Sequence, residues 1–220
     1  MKTWDQFWKE YNTSKAESYY ILSRDKIIRN AAKTLNGERI KILEAGCGFG
    51  SNSRLLNRDK RFEVYCIDLS KEAVDLVKKE IPRAYIGDIE KMPFKGGTFD
   101  IVFSSGVIEH FKDDSRAVSE LCRVTKESGI IITFVPGRYS LWQLYKIIKG
   151  KNWVHGYEKN YTISMLKKSF LKHKVKILNH GGIDPFSLNG MALKLFRFKL
   201  LSNISFSSAY GEVYLSVMKL

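Results

Sequence analysis

Three groups of residues in this chain have types and spacings suited to chemistry. The first is the run Glu44-Ala45-Gly46-Cys47-Gly48-Phe49-Gly50, which follows a short apolar stretch from Ile40. Glycines at such a place let the backbone turn tightly and approach a ligand without Cβ collisions, and a helix starting next presents unpaired amide donors. Taken alone, the same glycines also read as an ordinary tight turn. The second group is Asp68, 18 residues after Gly50 and at the end of the apolar run that starts at Phe62. A carboxylate there can accept both hydroxyls of a ribose. A dinucleotide fingerprint would continue to a third glycine, but Ser51 stands in its place, and Glu44 would repel a pyrophosphate. Glu44 could instead pair with a cationic amino group, so the residues ask for a nucleoside carrying an ammonium. The third group is Glu109-His110, a carboxyl beside an imidazole, of which His110 could remove a proton from a hydroxyl acceptor. A plainer reading has His110 capping a turn and Glu109 facing solvent or an arginine.

The elements that must position these groups follow from apolar periodicity and turn punctuation. Residues 14–35 read as one or two helices, with Tyr19, Tyr20, Leu22, Ile27, Ile28 and Ala31 on the buried face, ended by Asn36-Gly37. Short continuous apolar runs near 40–44, 62–67, 84–86, 99–104 and 129–135 read as strands buried on both sides. Helical patterns near 50–57, 70–78 and 113–124 separate them, and Ser70 can cap the second. The alternation predicts an α/β fold: a doubly wound, Rossmann-like, mostly parallel sheet. Beyond Pro136 come a basic aromatic segment, a helix near 162–171, a strand near 175–178 and an alternating run near 211–218. That last run is expected to pair antiparallel at the sheet edge as the seventh strand. Catalysis and binding belong at the open edge where such strands end, which puts Glu109-His110 after the fourth strand in a good position. His155 is a second candidate base, on a loop.

Composition bounds the rest. The 220 residues are 44% hydrophobic and 27% charged, which fits a folded chain and argues against disordered, collagen-like or repeat classes. No apolar stretch is long enough to span a bilayer, and the amino terminus lacks a basic-then-apolar signal pattern, so a cytoplasmic chain is expected. Cys47, Cys66 and Cys122 are odd in number with no paired spacing, so they read as reduced and buried, with no metal site. The net charge of +14 is lopsided: 23 Lys+Arg face 20 Asp+Glu up to Pro136, and 14 face 3 thereafter. A basic last third favours anionic partners, whether nucleic acid, a phospholipid surface or a small anionic molecule, although a solvated lysine face would look the same.

With these residues in place, the sequence resembles the class I S-adenosylmethionine-dependent methyltransferases over about residues 40–136. The glycine run, Asp68, Asp88 in Gly87-Asp88-Ile89, the fourth strand leading to Glu109-His110, and the helix and strand up to Pro136 carry the resemblance. A looser likeness, in Met92-Pro93-Phe94 and Ile108-Glu109-His110, is to the small-molecule, quinone-biosynthesis-type subgroup. The resemblance implies S-adenosyl-L-methionine as cofactor. It implies that Asp68 with Leu69 holds the ribose end, that Asp88 and Ile89 meet the adenine, and that Glu44, Gly46, Cys47 and Gly48 line the methionine end. Ser105 would join the cofactor-binding residues at the same edge, and Tyr19, on an amino-terminal helix folded over the cofactor, could close on the methionine carboxylate, although aromatic residues at helical spacing are more often core. Asp88 could also be a turn residue, and Asp100 reads as structural, at the strand end remote from the ligand. One domain over residues 1–220 is implied, with a helical cap over 1–37, a cofactor-binding core over 38–136, and a lid insertion with the last strands over 137–220.

The implied activity is methyl transfer to a small-molecule or lipid-precursor acceptor by in-line displacement. An RNA methyltransferase is the main rival, supported by the basic last third and its aromatic residues. Against it, Ser104-Ser105-Gly106-Val107 lacks the Asn/Asp-Pro-Pro-aromatic signature, and no Pro-Cys nucleophile is present. A non-catalytic scaffold would be expected to lose the ligand loop, which is intact. The aromatic and basic stretch 138–146, after the fifth strand, reads as a lid. In 186–206, Lys194, Arg197 and Lys199 among apolar residues suit peripheral membrane contact or an ordinary amphipathic element. The sequence names neither the acceptor nor the oligomeric state.

Overall fold

A computed structural model of the chain describes residues 6, 15–138, 157–183 and 212–220. Short apolar runs that cannot pair with water become seven strands of one sheet: β1 Ile40–Ala45, β2 Phe62–Asp68, β3 Ala84–Ile86, β4 Phe99–Ser105, β5 Thr125–Pro136, β6 Val175–Ile183 and β7 Glu212–Lys219. Their order across the sheet is β3-β2-β1-β4-β5-β7-β6. Pairs among β1 to β5 are parallel, and β7 runs antiparallel to both its neighbours. The helices are α1 Lys15–Ala32, α2 Ser51–Asn57, α3 Lys71–Lys78, α4 Ser115–Val124 and α5 Ile163–Phe170, with a 3-10 turn at Ile108–His110.

Alternate residues of each strand feed two cores, one on each face. Ile42, Val64, Cys66, Ile101, Phe103 and Ile132 pack against α1, α2 and α3; Leu43, Ile67, Val102, Ile131 and Val217 pack against α4 and α5. Caps set the helix starts: the Ser70 hydroxyl accepts from the Ala73 N–H, and the Thr162 hydroxyl accepts from the Met165 N–H. All three cysteines are buried and free, as their spacing predicts. The strand order reverses between β1 and β4, which opens a crevice at the carboxyl ends of these two strands.

Three elements differ from the sequence reading. The last strand is expected at the edge, but β7 lies between β5 and β6, and β6 forms the edge. Val213, Leu215, Ser216 and Val217 are buried, a burden an edge strand would not carry, whereas four of the nine residues of β6 are exposed. β6 also runs on past Leu178 through Asn179-His180-Gly181-Gly182, whose polar and small residues give no apolar signal. Gly181 fits there because a Cβ would stand 3.0 Å from the Tyr214 ring. Finally, β5 begins at Thr125 rather than Gly129, through an irregular register with β4 in which Ser128 takes a positive φ of 60°.

Candidate active site

The crevice is built first from backbone. Leaving β1, the chain turns on Gly46 (φ 75°), Gly48 (φ 48°) and Gly50 (φ 65°), conformations that favour glycine. The Gly46 and Cys47 N–H groups both donate to the Ile67 carbonyl, at 2.8 and 3.0 Å, so the loop is pinned to the end of β2. Asp68 completes the pin. Its Oδ2 accepts from the Gly48 N–H at 2.7 Å and its Oδ1 from the Ser70 N–H at 2.9 Å. The Asp68 carbonyl accepts from the Gly87 N–H, which brings the loop carrying Asp88 and Ile89 alongside. Asp88 is exposed and its Oδ1 accepts from the Glu90 N–H at 2.8 Å, while Ile89 is buried. Leu69, next to the carboxylate, is 62% exposed.

Glu44 lies beneath the loop. Its Oε2 accepts from the Ser53 N–H at 3.1 Å and the Ser53 hydroxyl at 2.5 Å, which ties β1 to the first turn of α2. Burial pushes its carboxyl up to about 7, against the opposing pull of the Ser53 bonds and the Arg24 guanidinium. Cys47 is also buried, and its thiol is raised well above the ordinary range by hydrogen bonding with Cys66 and by burial. Tyr19 is half-buried on α1, edge-on to Tyr20 with ring centroids 6.1 Å apart, and packs on the core beneath that helix. Asp100 is structural, as its place at the remote strand end predicts: it accepts from the Lys41 N–H at 2.9 Å and pairs with Lys126 at 2.8 Å.

Across the crevice the residues following β4 face the loop directly. A Cβ on Gly46 would stand 2.4 Å from the Val107 side chain, so the two halves of the site touch at that point. The Ser105 hydroxyl is buried without a hydrogen-bond partner. Glu109 is 1% exposed, and its Oε2 has no partner either. Its Oε1 lies 3.6 Å from where a Gly106 Cβ would be, so the carboxyl folds back over the end of β4. Burial pushes this carboxyl up to about 8; Glu158 and Glu212 add to the rise, and its own backbone N–H and Arg24 oppose it. The bland expectation of a solvent-facing Glu109 therefore fails. His110 is half-buried, and its Nδ1 lies 2.9 Å from the Tyr157 carbonyl. A carbonyl only accepts, so Nδ1 carries hydrogen, and in the neutral ring Nε2 holds the lone pair.

Several positioning residues carry no signal in the sequence. The segment 157–161 is laid across the end of the sheet by the Lys159 N–H donating to the Glu109 carbonyl and by paired bonds of Tyr161 with Pro136 and Arg138. A buried knot holds it there: Asp114 accepts from the Tyr161 hydroxyl at 2.5 Å and the Ser169 hydroxyl at 2.9 Å, with Lys159 at 3.3 Å. Burial works to raise the Asp114 carboxyl, but these donors together hold it below its ordinary range. Arg24 on α1 makes a two-pronged ion pair with Glu212 at the start of β7. These partners are far apart in the chain and belong to no motif. His155, the lid stretch 138–146 apart from Arg138, and the apolar-basic stretch 186–206 lie outside the described residues. Among the described residues, no helix is long and apolar enough to cross a membrane, and no cluster of metal-ligating side chains occurs.

This sheet order, with its single antiparallel strand seventh and an acidic residue at the end of β2 clasping the glycine loop after β1, is that of an α/β protein of the methyltransferase class. Residues 43–133 match the family described as methyltransferase domain. The chain is 28% identical over 176 residues to a malonyl-[acyl-carrier protein] O-methyltransferase of Buchnera aphidicola, covering 79% of this chain and 70% of that protein. It is 33% identical over 96 residues to a 2-methyl-6-phytyl-1,4-hydroquinone methyltransferase of Synechocystis, covering 41% and 30%. The magnesium protoporphyrin IX methyltransferase structure from Synechocystis, with S-adenosylhomocysteine bound, shares the fold at a TM-score of 0.67 and 15% identity, covering 99% of this chain and 93% of that one. The chain spans about half the length of the curated relatives it matches. Over residues 43–133 the chain is similar to the methyltransferase domain family, and its overall fold is that of solved S-adenosylmethionine-dependent methyltransferases.

Proposed function

We propose that the protein transfers a methyl group from S-adenosyl-L-methionine to a small-molecule acceptor. The observation that carries this reading is Asp68, a buried carboxylate clasped to the glycine loop and flanked by the exposed Leu69. The donor set fits an adenosine. Each Asp68 oxygen accepts one backbone N–H, which aims the carboxylate at the mouth of the crevice where a ribose would lie, and an adenine ring would cover the Leu69 side chain. In this reading Asp88 and Ile89 bound the adenine, Gly46, Cys47 and Gly48 line the methionine end with Glu44 beneath them, and Tyr19 on α1 closes that end. When bound, the cofactor supplies a methyl group on a sulfonium, an already activated leaving group. The chain's task is then mainly to hold the acceptor in line and to shut out water. Val107, Ser105 and Glu109 face the place where the acceptor must lie, and segment 157–161 closes over it. His110, held by the Tyr157 carbonyl, keeps its basic Nε2 in the neutral ring and serves an acceptor that must lose a proton.

The test is calorimetry with S-adenosylhomocysteine. The native protein binds it, and Asp68→Ala weakens binding by roughly one to two powers of ten, the cost of hydrogen bonds to a charged acceptor of about 1.5–3 kcal/mol. Undiminished affinity in a folded variant removes the ribose assignment.

A further inference from the structure

Segment 157–161 reaches the acceptor end through its backbone. The Tyr157 carbonyl stands against the His110 Nδ1, the Lys159 N–H donates to the Glu109 carbonyl, and Tyr161 exchanges bonds with Pro136 and Arg138. The segment is neither helix nor strand, and it meets the sheet through one isolated bridge between Gly137 and Tyr161. Ordering such a stretch costs more backbone entropy than a few bonds return, because each of them replaces a bond to water. A stronger anchor is required to keep the Tyr157 carbonyl where it is.

Side chains supply it. Tyr161 is fully buried, and its hydroxyl, the Ser169 hydroxyl and the Lys159 ammonium converge on one oxygen, Asp114 Oδ2, at 2.5, 2.9 and 3.3 Å. The same ammonium lies 4.8 Å from the centroid of the Tyr161 ring. Asp114 stands at the head of α4, where its carbonyl accepts from the Val118 N–H, and Ser169 belongs to α5. The knot therefore bolts the segment to two helices. Asp114 also lies on the short connection that carries Glu109 and His110 from β4 to α4, so the carboxylate that grips the segment and the groups that the segment meets share one stretch of chain. A segment that slides against Asp114 slides against His110 too.

Which nitrogen of a neutral imidazole carries hydrogen is set by the bond that the ring makes. An unrestrained histidine favours hydrogen on Nε2, which leaves the lone pair on Nδ1. The Tyr157 carbonyl can only accept, so it selects the opposite tautomer and puts the lone pair on Nε2. That selection lasts while the carbonyl stays in place. We propose that Asp114 is a positioning residue of the acceptor end: by gathering Tyr161, Ser169 and Lys159 on one oxygen it holds the Tyr157 carbonyl against His110 and fixes the basic nitrogen at Nε2. This rests on the methyl-transfer reading above, in which His110 takes a proton from the acceptor. Asp114 acts through segment 157–161 and requires no contact with either ligand.

The tautomer can be read directly by nuclear magnetic resonance of the free protein carrying nitrogen-labelled histidine. Couplings of each ring nitrogen to Hδ2 and Hε1 show which nitrogen bears hydrogen, and His110→Gln identifies the His110 signals among those of the four histidines. In the native protein at about pH 9, where an ordinary imidazole is neutral, roughly nine-tenths or more of His110 carries hydrogen on Nδ1. Asp114→Ala lowers that share to about one half or less, whereas Asp114→Asn, which keeps an acceptor oxygen for the two hydroxyls, retains most of it. Where Asp114→Ala does not fold, Tyr161→Phe combined with Ser169→Ala removes the hydroxyl donors, leaves Asp114 at the head of α4 and gives the same loss. Leu121→Ala is the control, since it opens a cavity on the buried face of α4, lowers stability without touching the knot, and leaves the hydrogen on Nδ1. Hydrogen on Nε2, or on both nitrogens, in the native protein overturns the proposal, because Nε2 then has no lone pair to offer. A native tautomer that persists in the knot variants also overturns it, as does an equal shift in Leu121→Ala, which marks general loosening. Calorimetry with S-adenosylhomocysteine keeps the two readings apart: failure of the native protein to bind it defeats the methyl-transfer reading, while the tautomer result, taken on the free protein, stands by itself.

Discussion

The two ends of the crevice treat buried carboxyls in opposite ways. At the end formed by β1, β2 and β3, Asp68 has two backbone donors and Glu44 has one backbone and one hydroxyl donor, all within 3.1 Å. At the end formed by β4 and β7, Glu109 is equally buried, its Oε2 has no donor, and burial pushes its carboxyl up to about 8. The first end is finished by the chain itself, since one carboxylate fixes the loop and the residue that caps α3 together. The second end leaves the Glu109 Oε2 and Ser105 Oγ atoms buried without partners. Preorganisation suits a ligand that is the same in every turnover, whereas unsatisfied groups select for a ligand that supplies what they lack.

The sharpest way to break the comparison is to fuse the two ends sterically. Gly46→Val puts a branched side chain at φ 75° and within 2.4 Å of Val107, so both the loop and the stretch after β4 must move. Binding of S-adenosylhomocysteine is expected to fall below detection, by roughly a thousandfold or more, while circular dichroism still reports the sheet. Normal affinity would mean that the loop does not approach the ligand and that the two ends are independent.

The next test sharpens the contrast through pH. Glu109 has a folded pKa raised from 4.5 to about 8, so between those values the native state holds more proton than the unfolded state. Stability due to this group is present below about pH 4.5 and is lost as pH rises, completely so above about 8. Glu109→Gln, which stays neutral, should match the native protein in chemical denaturation near pH 4.5 and exceed it at pH 9 by roughly 2–4 kcal/mol. Asp114 behaves with the opposite sign: its donors hold it low, so the stability it contributes is lost only as pH falls into the acid range. A Glu109→Gln variant no more stable than native at pH 9 would show that the carboxyl is satisfied, and the contrast between the two ends would disappear.

The comparison also explains how legible each end is in the sequence. The finished end is local: a strand, a glycine turn, a capped helix and the next strand lie within residues 40–70, and each leaves a periodic or compositional mark. Residue types and spacing alone therefore mark out Glu44, Gly46, Gly48 and Asp68, although no pattern shows that Asp68 clasps Gly48. The unfinished end is assembled from distant pieces. His110 meets the Tyr157 carbonyl 47 residues away, and Arg24 meets Glu212 across 188. Such contacts follow from the strand order, and the place of β7 between β5 and β6 is itself hidden because an alternating run fits an edge as well as an interior position. Glu109-His110 stands out by its position after β4, but the burial of Glu109 leaves no mark in the sequence.

The smallest expected effect tests whether the finished end is complete apart from its ligand. Leu69 is 62% exposed beside a buried carboxylate, an arrangement that makes no contribution to folding and costs nothing to truncate in the free protein. If an adenine lies over it, ligand binding removes on the order of 60 Å² of its apolar surface from water, about 1.5 kcal/mol at 25 cal/mol per Å². Alanine keeps part of that contact, so Leu69→Ala should weaken S-adenosylhomocysteine by about fivefold, close to 1 kcal/mol, and leave the unfolding midpoint of the free protein within about 0.5 kcal/mol of native. The two measurements must diverge for the reading to hold. Equal loss of stability and affinity would mean that Leu69 packs on the chain rather than on the ligand, and an unchanged affinity would place the adenine on some other part of the edge, away from Asp68 and Ile89.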